Sequence, residues 1–372
     1  MSHGVISVGK FPQGARFRRG CLFLLFAAFL VLLSSPSWAE SLDRELAAGR
    51  KAAEEVEKQW ERVADPAVTA RLQMLLERFL PFLSRPLPYE VRVIREKMVN
   101  AFSLPGGIIY FTTGMLGFLR TNDETAAILA HELIHADRRH ALIQTARSSR
   151  ISLAALAVMI ATHGAAGPMI LTGLLQVAIT NSYGQDLERE ADREGFRILV
   201  KAGFSPAAML TCLEAMQFEQ LKHPYVDPGV YMTHPELAER IDYILATART
   251  EGVPLHRKEA LHLLRTRVEE GDGKVRLFID GTEAWNAPSG VAVRALFEDA
   301  AAKISASLQM ETAPYDIQVI SSPRGRILLI EGAAMASEPL PEGIPPLEDL
   351  RSGIMAALSS AQRSHQGAKY HR

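Results

Sequence analysis

Cysteine is almost missing from the 372-residue chain, which holds only Cys21 and Cys212. Cys21 lies in a segment expected to be removed, so Cys212 has no intrachain partner and no disulfide framework braces the fold. Within "SPAAMLTCLEAMQFEQ" the Cys212 thiol reads as a small core side chain rather than a nucleophile. Net charge is also missing: 41 Lys plus Arg against 42 Asp plus Glu leave −1. That balance argues against the broad basic footprint of a nucleic-acid-binding protein. Nor does any uninterrupted apolar run reach the roughly 20 residues that span a bilayer.

The two longest apolar stretches have other readings. Lys10, Arg16, Arg18 and Arg19 precede a 13-residue apolar core from Cys21 to Leu33, and Ser37 and Ala39 are small residues suited to a cleavage point. Residues 1–39 are therefore expected to be a secretory signal cut after Ala39, delivering the protein to the periplasm, with an uncleaved N-terminal membrane anchor as the competing reading. Residues 151–180 are the most apolar part of the remaining chain, but Gly164, Gly167 and Pro168 split them into halves too short to cross about 30 Å of hydrocarbon. A helical hairpin packed on the core is expected, with peripheral membrane contact as its alternative and His163 as a loop residue.

What remains has an ordinary globular balance, 48% hydrophobic and 22% charged, with length for two domains. Residues 42–80 read as two helices divided at Asp65-Pro66. "YEVRVI" alternates as a strand, "NAFSLPGG" reads as a turn, and "IIYFTTG" as a second strand ending at Gly114. From about residue 250 the character changes: "KVRLFIDG", "YDIQVISS" and "RILLIEGAA" read as strands, and residues 291–310 and 347–364 as helices. The expected fold class is α+β: a mainly helical domain over residues 40–250 with a small sheet, then a small α/β domain over 251–372 that carries no assignable motif.

The chemistry concentrates in "AAILAHELIHADRRH". Thr121 and Glu124 have capping-box spacing ahead of a run of good helix formers, so this stretch is expected to be helical. Residues four apart share a helix face, so His131 and His135 can grip one metal ion, with Glu132 placed as a general base beside them. Such a site needs a third protein ligand and an open fourth position. "DLEREADREGFRILVKAGFSP" offers one: on that helix Glu188 and Asp192 share a face while Glu190 points elsewhere. Glu188 can complete a His-His-Glu site and Asp192 can orient a ligand imidazole from behind, although a solvated charged face is the competing reading of this segment alone. Further on, Thr233 and Glu236 form another capping-box pattern around Pro235.

In order and spacing, "NAFSLPGGIIYFTTGML", "ETAAILAHELIHADRRH", the "EREADREG" and "AGFSPAAM" segments, and "THPELAER" resemble the zinc metallopeptidases related to HtpX, BepA and the CAAX prenyl endopeptidases, over about residues 43–245. The resemblance implies one zinc held by His131, His135 and Glu188, with Glu132 as base. It also implies that His234 can serve as a removable fourth ligand that holds the enzyme in check, and that Arg240 lies near the active site, where it could stabilise an oxyanion. The strand near Asn100, Ala101 and Phe102 is expected to pair with an extended substrate. Two features depart from the family pattern: Tyr183 is followed by Gly184 and Gln185 where many periplasmic members have Ser-Arg, and no tetratricopeptide repeat follows the domain. The implied activity is peptide-bond hydrolysis on unfolded or misassembled envelope proteins, with a little-cleaving chaperone or binding protein on the same fold as the alternative.

Overall fold

The computed structural model describes Met1 and residues 38–152, 156, 167–222, 237–309 and 312–364. The expected signal core, His163, Gly164, Thr233, His234, Pro235 and Glu236 lie outside these residues. Helix α1 (Trp38–Gln59) contains the expected cut after Ala39 in its first turn. Helix α2 (Pro66–Phe79) starts where the sequence indicated: the Asp65 carboxylate accepts the Ala67 and Val68 N–H groups, and proline occupies the first turn, where its missing N–H costs nothing.

A three-stranded sheet follows, in the order β1-β3-β2. Its members are β1 (Glu90–Ile94), β2 (Ala101–Leu104) and β3 (Ile108–Thr112), with β3 parallel to β1 and antiparallel to β2. The reading of "NAFSLPGG" as a turn is corrected here, because its first half is β2 and only the Pro-Gly-Gly part turns, with Gly106 and Gly107 at positive φ. All four β2 residues are buried, so no polar alternation marks the strand. Ala101 packs in the main core, while Phe102 and Leu104 face a smaller core formed with α1 and with α6 (Gly167–Ile179). Strand β3 ends at Thr112, not Gly114, because the Thr112 hydroxyl accepts the Met115 N–H and caps α3 (Thr113–Phe118).

Helix α4 (Asn122–Asp137) is the axis of the domain, buried continuously from Glu124 to Asp137. Thr121 caps it by accepting the Glu124 N–H, while the Glu124 carboxylate takes the Arg120 N–H. At its other end, buried Asp137 accepts from Ser84 N–H, Ser84 hydroxyl, Arg85 N–H and Tyr89 hydroxyl at 3.1, 2.6, 2.9 and 2.8 Å. The chain continues through α5 (His140–Ser149), then α6, α7 (Gln185–Lys201), α8 (Ala207–Lys222), α9 (Leu237–Glu251) and α10 (Arg257–Ala260). Leu174 and Ala178 of α6 are in the core, Met169 is exposed, and among the described residues no helix is long and apolar enough to cross a membrane. Cys212 is buried.

Beyond Ala260 a second core begins at Leu261. Its elements repeat one pattern: a meander of β4 (Thr266–Gly271), β5 (Lys274–Ile279) and β6 (Thr282–Pro288) leads to α11 (Val291–Gln309). Then β7 (Ile317–Ser322), β8 (Gly325–Ile330) and β9 (Ala333–Ser337) lead to α12 (Leu347–Ser364). The hairpins β4-β5 and β8-β9 turn on Asp272-Gly273 and Glu331-Gly332, all four at positive φ, as two-residue turns that match strand twist require. Each helix crosses to the other meander: α11 touches β4, β5 and β9, and α12 touches β6, β7 and β8. The two units share one core, and Gly353 of α12 lies so close to the Ala284 backbone that a Cβ would stand 2.3 Å from its carbonyl oxygen. The fold class is α+β, as expected.

Replacement of Asp137 by Ala removes the acceptor of four part-buried donors at once and should lower unfolding free energy by about 2 kcal/mol, whereas Asp137→Asn should cost about half that. Urea melts of the two variants check this, and equal stability of Asp137→Ala and the unaltered protein would remove the carboxylate from the account of how residues 84–89 are held.

Candidate metal centre

His131 and His135 stand one turn apart on α4 with their Nε2 atoms 3.0 Å from each other. Glu188, in the first turn of α7, points a carboxylate between them, with Oε2 3.6 Å from His131 Nε2 and Oε1 3.6 Å from His135 Nε2. All three side chains are buried. Ligands of a tetrahedral zinc at its usual bond lengths stand about 3.3 Å apart, so these donors need shifts of only a few tenths of an ångström to surround such an ion. Glu132, 1% exposed, lies beside them on the same helix.

Close packing of α7 on α4 makes this convergence possible. Glu188, Asp192 and Gly195 follow one another at four and three residues along the buried face of α7. Gly195 is the contact point, where a Cβ would meet His131 Cα and N at 3.3 Å. A larger residue there would press the helices apart and spread the ligands.

Each imidazole is backed by a different group. His131 Nδ1 lies 3.0 Å from Asp192 Oδ1, and Arg240 of α9 binds Asp192 through both Nε and Nη2, at 2.8 and 2.7 Å. Burial alone would raise the Asp192 carboxyl, but the Arg240 charge and the hydrogen bonds from His131 and Arg240 outweigh it and hold the group well below the usual carboxylate range. His135 Nδ1 faces His140 Nδ1 at 3.0 Å. Burial lowers His140 to about 4, helped by positive charge at His131 and Arg138, so the ring is neutral at pH 7 and offers a lone pair. With Nε2 of His135 turned to the metal position, its Nδ1–H donates to His140, which fixes the tautomer. Tyr183 covers the face of His135, with ring centroids 4.1 Å apart. Burial, then the charges of Glu132 and Glu188, push the Tyr183 phenol well above its usual value.

The expected residues His131, Glu132, His135, Glu188, Asp192 and Arg240 thus meet in one buried cluster. Arg240 binds Asp192 through two of its nitrogens, and its third, Nη1, lies 3.6 Å from Glu188 Oε2. Asn100 Nδ2 donates to Ile179 O and Asn100 Oδ1 accepts from Asn181, Ala101 O accepts from Asn181, and Phe102 stacks on Tyr110 on the far face of the sheet. His234 lies outside the described residues. His140, Tyr183 and Gly195 were not singled out from sequence. His140 follows His135 by five residues, off the helical spacing, and reaches it because α4 breaks after Asp137 and the chain turns through Arg139 at φ 61°.

The site thus joins an H-E-x-x-H helix to a glutamate from a second helix, a group that could hold a metal ion. Residues 66–248 match the model of Peptidase family M48, so the chain contains a peptidase domain of that family. It is 28% identical over 219 residues to the beta-barrel assembly-enhancing protease of Escherichia coli K12, covering 51% of this chain and 45% of that protein. Against a putative protease of that name from Vibrio cholerae it is 31% identical over 193 residues, 49% of this chain and 39% of the relative. It is 33% identical over 135 residues to the mitochondrial metalloendopeptidase OMA1 of Schizosaccharomyces pombe, 35% of this chain and 38% of the relative. The chain thus spans less than half the length of these three relatives.

Loss of the His140 ring should loosen His135 without touching the ligand atoms. His140→Ala is expected to bind zinc about 10- to 100-fold more weakly, read by competition with a chromogenic chelator. An unchanged affinity would mean that Tyr183 and the helix alone orient His135.

Proposed function

We propose that this chain is a zinc-dependent endopeptidase, exported to the periplasm, that hydrolyses peptide bonds in unfolded or misassembled envelope proteins. The observation that carries the reading is the buried His131-His135-Glu188 group with Glu132 beside it. Two imidazoles and a carboxylate are a donor set that suits zinc and leaves a fourth position for a reactant. Export is supported by the basic and apolar N-terminal segment, and an envelope substrate by the relatives named for β-barrel assembly.

Zinc held there would polarise a substrate carbonyl and acidify water. The protein's own groups do the rest. Glu132 accepts the proton of the attacking water and delivers it to the departing amine. Asp192 and His140 hold the two imidazoles so that Nε2 of each faces the metal position, and Arg240 keeps Asp192 ionised. The part of the β2 edge beyond the Ala101 carbonyl, which Asn181 occupies, is the proposed place where an extended substrate lies, and His234 the proposed fourth ligand that excludes water until it is withdrawn.

Purified protein should carry one zinc and cleave unfolded casein; Glu132→Gln should retain the zinc and lose cleavage by at least about a thousandfold. Metal analysis and casein digestion decide the matter, and a Glu132→Gln variant as active as the unaltered protein would sink the peptidase reading. His234→Ala should raise basal casein turnover at matched zinc content. Unchanged or lower turnover would leave "THPE" as a helix cap only.

A further inference from the structure

The turn between α6 and α7 runs along the edge of β2 opposite β3. Thr112 N–H donates to Asn100 O on the β3 side, so by strand alternation the backbone groups of Ala101 and Ser103 point to the other edge. There, Asn181 Nδ2 donates to Ala101 O and to Asn100 Oδ1, both at 3.1 Å, while Asn100 Nδ2 donates to Ile179 O at 2.9 Å. Asn181 itself has φ 46°, a left-handed conformation that asparagine tolerates better than most residues. The turn is therefore pinned on both sides of the residue that precedes Ser182 and Tyr183.

This pinning places Tyr183 between the sheet and the metal helix. Its ring is stacked on His135, 27° from parallel, and lies 6.4 Å from the His140 ring. Its hydroxyl is buried beside the Ser103 hydroxyl, which favours the ionised phenol as a donor, while the charges of Glu132 and Glu188 oppose it, and its own O–H finds no acceptor among the described residues. Ser103 shares the strand face of Ala101, the face turned to the main core that contains α4. A buried phenolic donor without an acceptor is costly unless a ligand supplies one.

We infer that Tyr183 is a catalytic residue whose O–H donates a hydrogen bond to the carbonyl oxygen of the scissile peptide as that oxygen gains negative charge. The inference rests on the peptidase reading. In the step it serves, the water oxygen bonds to the carbonyl carbon, one water proton passes to Glu132, and the carbonyl π pair moves to oxygen, where the Tyr183 hydrogen bond shortens. The C–N bond then breaks and the amine takes the proton from Glu132. Tyr183 keeps its own proton throughout, as phenols do at neutral pH. Arg240, bound to Asp192 through Nε and Nη2 and with Nη1 3.6 Å from Glu188 Oε2, is then a positioning residue, and the donor at the reacting oxygen comes from the α6-α7 turn.

The test is Tyr183→Phe in the full chain, which keeps the stacked ring and removes only the donor. Zinc content and KM should be unchanged while kcat on a peptide falls about 10²- to 10³-fold. Affinity for a phosphinic peptide, whose tetrahedral oxygens mimic the charged carbonyl, should fall at least tenfold, measured by calorimetry. Affinity for an uncleaved substrate peptide, measured in the Glu132→Gln background, should not change. Wild-type kcat, a rise in activity, or loss of zinc in parallel with activity would each overturn the inference: the first removes the donor, the second makes the ring an obstruction, and the third reduces it to a prop for His135. If the unaltered protein itself binds zinc yet cleaves nothing, the peptidase reading fails and this inference falls with it; if it cleaves and Tyr183→Phe cleaves equally, only Tyr183 is wrong.

Discussion

Everything in the peptidase domain depends on holding two imidazole nitrogens 3.0 Å apart inside a buried cleft. Without an ion two such nitrogens can share one N–H···N hydrogen bond, whereas around an ion both must offer lone pairs. The arrangement persists because each ring is locked from behind and because α7 lies against α4 closely enough to bring Glu188 to the same point. Gly195 sets that distance, Asp192 and His140 set the ring orientations, and the continuous burial of α4 keeps water from competing. The rigidity is general to the domain: α4 is capped by Thr121 at one end and tied at the other through Asp137 to the segment leading into β1.

Much of this was legible in the sequence because it rests on short-range periodicity. The i, i+4 pair on α4 and the Glu188-Asp192 pair on α7 each share a helix face, and a helix face survives into the fold unchanged. What was not legible depends on where the chain departs from a regular repeat. His140 meets His135 only because Arg139 takes a left-handed turn, which reverses the direction that a continuous helix would have given it. Tyr183 reaches the site only because Asn100 and Asn181 bind across about eighty residues of chain, a pairing that no local window contains. Strand β2 was hidden for another reason: its four residues are buried on both faces, so the alternation that reveals a half-buried strand is absent.

The C-terminal unit shows the same limit in reverse. Its regular strands β5, β7 and β8 were visible, whereas β4, β6 and β9 were not. β4 reads "TRVEEG" with no residue fully buried, β6 reads "TEAWNAP" with a single large apolar residue, and β9 reads "AAMAS". The repetition of three strands and a helix became evident only from the order of the elements. Because each helix packs on strands of both meanders, the two units share one core, distinct from that of the peptidase domain.

The two ligand histidines are not electrostatically equivalent. His131 leans on an ionised carboxylate whose charge is balanced by Arg240, and a carboxylate acceptor raises the basicity of the imidazole in front of it. His135 leans on a neutral imidazole, a weaker acceptor that carries no charge to transmit. An ion between them would therefore draw more electron density from His131 than from His135 and keep more of its own positive charge than in a site backed by two carboxylates. That residual charge is what polarises a carbonyl and acidifies water. With zinc bound, one strong and one weak backing group would leave the ion more of its charge, and the Tyr183 ring over His135 would limit how far the more weakly held imidazole can swing.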